Sequence, residues 1–75
     1  MEEKLIKLAQ KRCEEDTEIT MDSSIMDDLE FTSMELFSFI SEVEAAFQVK
    51  ISEREMQRID TLSDVAELIE KKQGE

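Results

Sequence analysis

Three segments of this 75-residue chain share one local pattern, in which a Ser or Thr is followed three positions later by an acidic residue. They run from Thr32 to Glu35, from Ser52 to Glu55 and from Thr61 to Asp64. In such a pattern the hydroxyl oxygen accepts a hydrogen bond from a backbone N–H that has no partner inside the helix, and the acid accepts one from the N–H of the hydroxyl residue. Each segment is therefore predicted to begin a helix, although the third is the weaker match because Asp replaces Glu.

Apolar residues recur at helical spacing after these starts and also near the N-terminus, where Leu5, Leu8 and Ala9 share one face. The predicted helices span Glu2 to about Glu15, Ser33 to about Phe47, about Glu53 to Ile59, and Leu62 to about Lys72. No alternation typical of strands is present. The fold class is therefore all-α, and we expect a single domain over residues 1–75 that forms a small four-helix bundle.

The long connection from Thr17 to Thr32 separates the first two predicted helices. It is acidic, yet apolar residues interrupt it at Ile19, Met21, Ile25, Met26, Leu29 and Phe31. These residues predict a loop that packs on the core rather than a flexible tether. On helix two, we expect Leu36, Ile40, Val43 and Phe47 to face the core, and we assign Phe37 and Phe39 to the core as well.

The charge balance limits the possible partners. The chain carries 20 acidic and 9 basic residues, a net charge of −11. Phosphates would be repelled, which argues against nucleic acids and anionic membranes as partners and favours basic proteins. The N-terminus is too charged for a signal peptide, and no apolar run approaches membrane-spanning length. We therefore expect a cytoplasmic monomer with no membrane insertion.

Few residues are equipped for chemistry. The chain has no His, and its lone Cys13 lacks a base that could activate it. Asp16, Glu18, Thr20, Asp22 and Ser24 alternate like the ligands of a calcium loop, but Met21 occupies the position of the turn glycine, so we predict no resident metal. The remaining candidate is Ser33, whose hydroxyl is expected to face solvent at the first turn of helix two, directly after an acidic run.

The segment around Ser33 resembles the acyl carrier protein family. The residues that carry the resemblance are SSIMDDLEFTSMELFSFISEVEAAFQVKIS, at positions 23–52, and IDTLSDVAELIEKK from Ile59 onward. The family pattern contains Asp-Leu-Gly, a variable residue and Asp-Ser-Leu at the start of the helix. This chain departs from it at Glu30, which replaces the Gly, and at Thr32, which replaces the Asp.

The resemblance implies a carrier protein and not an enzyme. A phosphopantetheinyl transferase would attach 4′-phosphopantetheine from coenzyme A to Ser33, and the arm would hold acyl groups as thioesters. Enzymes of fatty-acid, polyketide or related synthesis would then bind the carrier through basic patches. The partner-binding residues expected on this basis are Asp28, Glu30, Met34, Glu35, Glu42 and Glu44. The open alternative is an unmodified acidic helical adaptor that binds a basic protein.

Overall fold

The computed structural model describes residues 2–14 and 16–74 and contains four helices. They are α1 (Glu2–Gln10), α2 (Ser33–Phe47), α3 (Glu53–Gln57) and α4 (Leu62–Gln73). Within this described part of the chain there is no strand, only an isolated antiparallel bridge between Ser24 and Thr61. The predicted all-α class with a long loop between the first two helices is confirmed.

The three predicted helix starts are all present as complete capping boxes. The hydroxyl oxygens of Thr32, Ser52 and Thr61 accept hydrogen bonds from the N–H groups three positions later, at 3.2, 3.1 and 3.3 Å. Asp64 also completes the third box, because its carboxylate accepts from the N–H of Thr61 at 3.0 Å. Local side-chain chemistry therefore sets where α2, α3 and α4 begin.

Two helices are shorter than predicted. α1 ends at Gln10, because the N–H groups of Arg12 and Cys13 bond the carbonyls three positions back, which tightens the last turn. The predicted end, Glu15, lies outside the described residues. α3 ends at Gln57 for the same reason, since Arg58 and Ile59 also bond three positions back.

The core forms where α1 packs against both α2 and α4. Its buried apolar residues are Leu5, Ala9, Ile25, Leu29, Phe31, Phe39, Ile40, Val43, Ile59, Leu62, Val65 and Ile69. Three of them, Ile25, Leu29 and Phe31, come from the long connection, so the prediction that this loop packs on the core is confirmed. Phe31 meets Phe39 edge to face, with ring centroids 5.8 Å apart.

Two apolar residues assigned to the interior lie instead at the surface. Phe37 is 61% exposed, whereas Phe39 is fully buried. Phe37 is rotated by about 100° around the helix axis from Leu36. It therefore lies outside the buried apolar face that contains Phe39, Ile40 and Val43. Met26 in the loop is 42% exposed, so it does not join Ile25 and Leu29 in the core.

Candidate functional site

Ser33 is the first residue of α2, and its side chain is exposed. The preceding residue, Thr32, has an extended backbone and is held from both sides by the capping box. Its hydroxyl oxygen accepts from the N–H of Glu35, and its own N–H donates to the Glu35 carboxylate at 3.2 Å. This exchange fixes the turn that carries Ser33 while leaving the Ser33 side chain at the surface.

The electrostatics at this turn favour an anion. The N–H groups of Ser33 and Met34 belong to the first turn, where no carbonyl of the same helix can accept from them. The aligned peptide dipoles of the 15-residue α2 add a partial positive charge at this end. A phosphate joined to the Ser33 oxygen would therefore lie at a favourable position.

The loop turns sharply before it enters α2. The N–H groups of Asp28 and Leu29 both donate to the carbonyl of Ser24, and the Asp28 carboxylate accepts from the N–H of Ser24 at 2.8 Å. The N–H of Phe31 then donates to the carbonyl of Ile25 at 3.1 Å. Between these bonds Glu30 adopts a φ of 56°, in the left-handed region. The loop therefore closes on itself two residues before Ser33.

The same loop is fastened to the connection between α3 and α4. The Ile25 N–H donates to the carbonyl of Asp60 at 2.8 Å, and the Ser24 hydroxyl donates to the Asp60 carboxylate at 2.9 Å. These partners are far apart in sequence, so no local pattern could have revealed the contact. The loop that leads into α2 is thus supported by the connection between α3 and α4.

The predicted partner-binding acids divide into two groups. Asp28 and Glu30 are exposed in the loop, as expected. Glu35, Glu42 and Glu44 lie on α2 and are half-buried, with the Glu42 side chain 40% exposed, so part of each side chain remains at the surface.

Each half-buried acid already has a partner within the chain. Glu35 completes the capping box with Thr32. Glu42 pairs with Arg12 at 3.5 Å, and Glu44 accepts a hydrogen bond from the N–H of Ile51 at 2.9 Å. The α2 acids therefore act first as links to the cap, to the segment after α1 and to the segment before α3.

The surface beside Ser33 is apolar. Met34, the last member of the predicted partner-binding set, is 82% exposed, so it does not pack in the core. Phe37 lies one turn further along α2 and is also exposed. Sequence reasoning missed Phe37 as a surface residue, although its position outside the stripe of Leu36, Phe39 and Ile40 was a usable signal.

Comparisons with known proteins agree with this arrangement. Residues 3–69 match the family model described as a phosphopantetheine attachment site. The acyl carrier protein of Thermotoga maritima is 28% identical, with 89% of this chain and 83% of that protein aligned. The acyl carrier protein of Exiguobacterium sibiricum is 33% identical, covering 84% and 80% of the two chains.

A solved structure gives the same result for the fold. A Mycobacterium tuberculosis protein assigned to the acyl carrier proteins superposes with a TM-score of 0.80 at 38% identity, over 88% of this chain and 89% of its own. The chain belongs to the acyl carrier protein family. This acyl carrier protein is accordingly a carrier and not an enzyme, and its cofactor is 4′-phosphopantetheine.

The other candidate groups of this acyl carrier protein show no arrangement for chemistry. Burial raises the pKa of the Cys13 thiol, and the nearby Glu35 carboxylate adds to the increase. The half-buried thiol is thus held in its protonated, weakly nucleophilic form. Among residues 2–14 and 16–74, no three His, Cys, Asp or Glu side chains come together in a way that could hold a metal ion.

None of the helices found in residues 2–14 and 16–74 combines the length and the apolar character that crossing a bilayer requires.

Proposed function

We propose that Ser33 is the attachment site of 4′-phosphopantetheine, and that the holo protein delivers acyl thioesters to enzymes of fatty-acid, polyketide or related synthesis. The observation that carries the proposal is the exposed Ser33 side chain at the first residue of α2. When bound, the arm supplies a thiol that can hold an acyl group as a thioester. Thr32 and Glu35 hold the turn, and the first-turn N–H groups favour the negative charge of the phosphate.

Five other serines fit the role less well. Ser23 is buried, and the hydroxyl of Ser24 is bonded to Asp60. Ser38 and Ser41 are exposed but lie inside α2, where every nearby N–H is committed to the helix. The hydroxyl of Ser52 already accepts from the N–H of Glu55 in the cap of α3.

The proposed partners are a phosphopantetheinyl transferase and acyl-processing enzymes with basic patches. The exposed acids Asp28 and Glu30, together with Met34, are the members of the expected contact set that a partner could reach without breaking contacts within α2. Glu35, Glu42 and Glu44 could contribute through the part of each side chain that remains exposed. A monomeric state and a cytoplasmic location stay predictions.

The test is covalent labelling. We expect the mass of the protein to rise by one phosphopantetheinyl group after incubation with coenzyme A and a broad-range transferase. Ser33→Ala should abolish this rise while leaving the helical circular dichroism unchanged, because the side chain is exposed. Ser38→Ala and Ser41→Ala are matched controls on the same helix and should be labelled like the parent.

Labelling that persists in Ser33→Ala would show that another residue carries the group. A parent chain that is never labelled, yet binds a basic protein, would favour the unmodified adaptor.

A further inference from the structure

The most exposed residues of α2 are uncharged. The helix contains three acids, and all of them are half-buried and bonded within the chain. The exposed residues of the helix are Ser33, Met34, Phe37, Ser38, Ser41 and Ala45. A partner that approaches along α2 therefore meets mainly uncharged side chains, and Glu42, whose side chain is 40% exposed, is paired with Arg12.

Two large apolar side chains stand on this surface next to Ser33. Met34 and Phe37 are three positions apart and are therefore neighbours on the helix, and Phe37 is also one turn from Ser33. They are 82% and 61% exposed. Single exposed apolar residues are ordinary, but an adjacent pair that includes an aromatic ring is typical of a binding site.

Exposed acids lie on the loop side of this pair. Asp27, Asp28 and Glu30 are exposed immediately before α2. The hydrogen bond from the N–H of Phe31 to the carbonyl of Ile25 closes that loop just before the start of the helix. The surface around Ser33 thus has an acidic side formed by the loop and an apolar side formed by Met34 and Phe37.

We infer that the transferase that modifies Ser33 binds this chain through an apolar pocket that receives Phe37, with Met34 at the edge of the pocket. The basic residues of the transferase lie opposite the loop acids rather than along α2. This inference rests on the proposed function. An enzyme that reaches the Ser33 hydroxyl must cover the adjacent turn, which contains Phe37. A second copy of the chain is a poor occupant, because two molecules each of net charge −11 repel one another and would hide Ser33.

The experiment compares variants of Phe37 as substrates of the phosphopantetheinyl transferase from the same organism. Phe37→Ser should lower kcat/KM by at least about tenfold, mainly by raising KM, as expected for the loss of an aromatic anchor. Phe37→Leu, which keeps an apolar side chain, should retain most of the parent value. Because Phe37 lies at the surface, these variants should keep the parent circular dichroism and melting temperature.

Phe37→Glu separates the two kinds of recognition. If the enzyme read α2 by its charge, an added carboxylate would raise kcat/KM, whereas an apolar pocket predicts a loss at least as large as that of Phe37→Ser. The matched controls are Gln57→Ser and Gln57→Glu at an exposed position of α3, and both should behave like the parent.

Three results would overturn the inference. They are an unchanged kcat/KM for Phe37→Ser, an increased kcat/KM for Phe37→Glu, and no modification of the parent by this transferase. Labelling of Ser33 by the broad-range enzyme would still stand in each case. Its absence would instead remove the proposed function, and this inference with it.

Discussion

At the scale of single residues, Glu30 has a backbone conformation that its residue type disfavours. Its φ of 56° lies in the left-handed region, which costs a non-glycine residue about 1–2 kcal/mol. The acyl carrier pattern has Gly at this position, where the absence of a Cβ removes the clash. Glu30, which replaces the Gly of the family pattern, is therefore a site of local strain three residues before Ser33.

Glu30→Gly is expected to raise the free energy of unfolding by about 1 kcal/mol. Gly relieves the backbone strain, and part of this gain is offset because Gly gives the unfolded chain more conformational freedom. Urea denaturation measures the change. Glu30→Ala controls for loss of the carboxylate, because Ala keeps the Cβ and the strain. Gln48→Gly is a second test, since Gln48 has a φ of 55° after α2. If Glu30→Gly were no more stable than Glu30→Ala, the prediction that the backbone is strained at this position would be contradicted.

Among the helices, α3 depends on polar contacts more than on burial. It has five residues, none of them buried. The Glu55 carboxylate accepts from the N–H of Ser52 at 3.0 Å and pairs with Lys72 of α4 at 3.0 Å. These two contacts, the Ser52 hydrogen bond first, lower the pKa of Glu55 from 4.5 to about 2. One carboxylate thus joins the start of α3 to the end of α4.

The lowered pKa predicts a pH dependence. A carboxyl group whose pKa is lower in the folded state stabilises the fold above its unfolded pKa and loses that contribution as pH falls through the folded value. The contribution of Glu55 should be present above pH 4.5 and should disappear as the pH falls toward about 2. Glu55→Gln should therefore lose less stability than the parent over this interval.

Denaturant unfolding at several pH values in this interval measures the difference between the two proteins. Glu53→Gln, exposed on the same helix, is the control and should follow the parent. Parallel pH profiles for the parent and Glu55→Gln would show that the two contacts of Glu55 do not stabilise the folded state.

At the scale of the whole molecule, the net charge of −11 is distributed over a body of 37 × 23 × 19 Å. The described residues contain two ion pairs, Arg12 with Glu42 and Lys72 with Glu55, so most acids have no basic partner within the part of the chain that the structure describes. The Debye length is about 30 Å at 0.01 M salt and about 8 Å at 0.15 M. Repulsion therefore acts across the whole body at the lower concentration and only between neighbours at the higher one.

The melting temperature should consequently rise when NaCl is increased from about 0.01 to about 0.15 M, because screening relieves repulsion that is stronger in the folded state. Differential scanning calorimetry at constant pH measures it. An equal concentration of sucrose is the control, since a neutral solute at that level does not screen charge. A melting temperature that is constant or falls with NaCl would contradict the argument.

Local chemistry in the sequence was sufficient for the helix starts and for the position of Ser33. Thr32, Ser52 and Thr61 each interact with a residue three positions away, so the capping boxes could be read directly from the chain. The 3.6-residue period likewise placed Ile40 and Val43 in the core and set the span of α2. The family pattern around Ser33 belongs to the same class of information, because it is a run of adjacent residues.

Contacts between distant segments decided the remainder. The sequence could not show that Arg12 would pair with Glu42, or that the N–H of Ile51 would bond Glu44, and so it could not show that these α2 acids have partners within the chain. The left-handed backbone of Glu30 also follows from how the loop and helices pack together. Interactions within one helical turn are fixed by spacing along the chain, whereas these depend on which segments the folded core brings together.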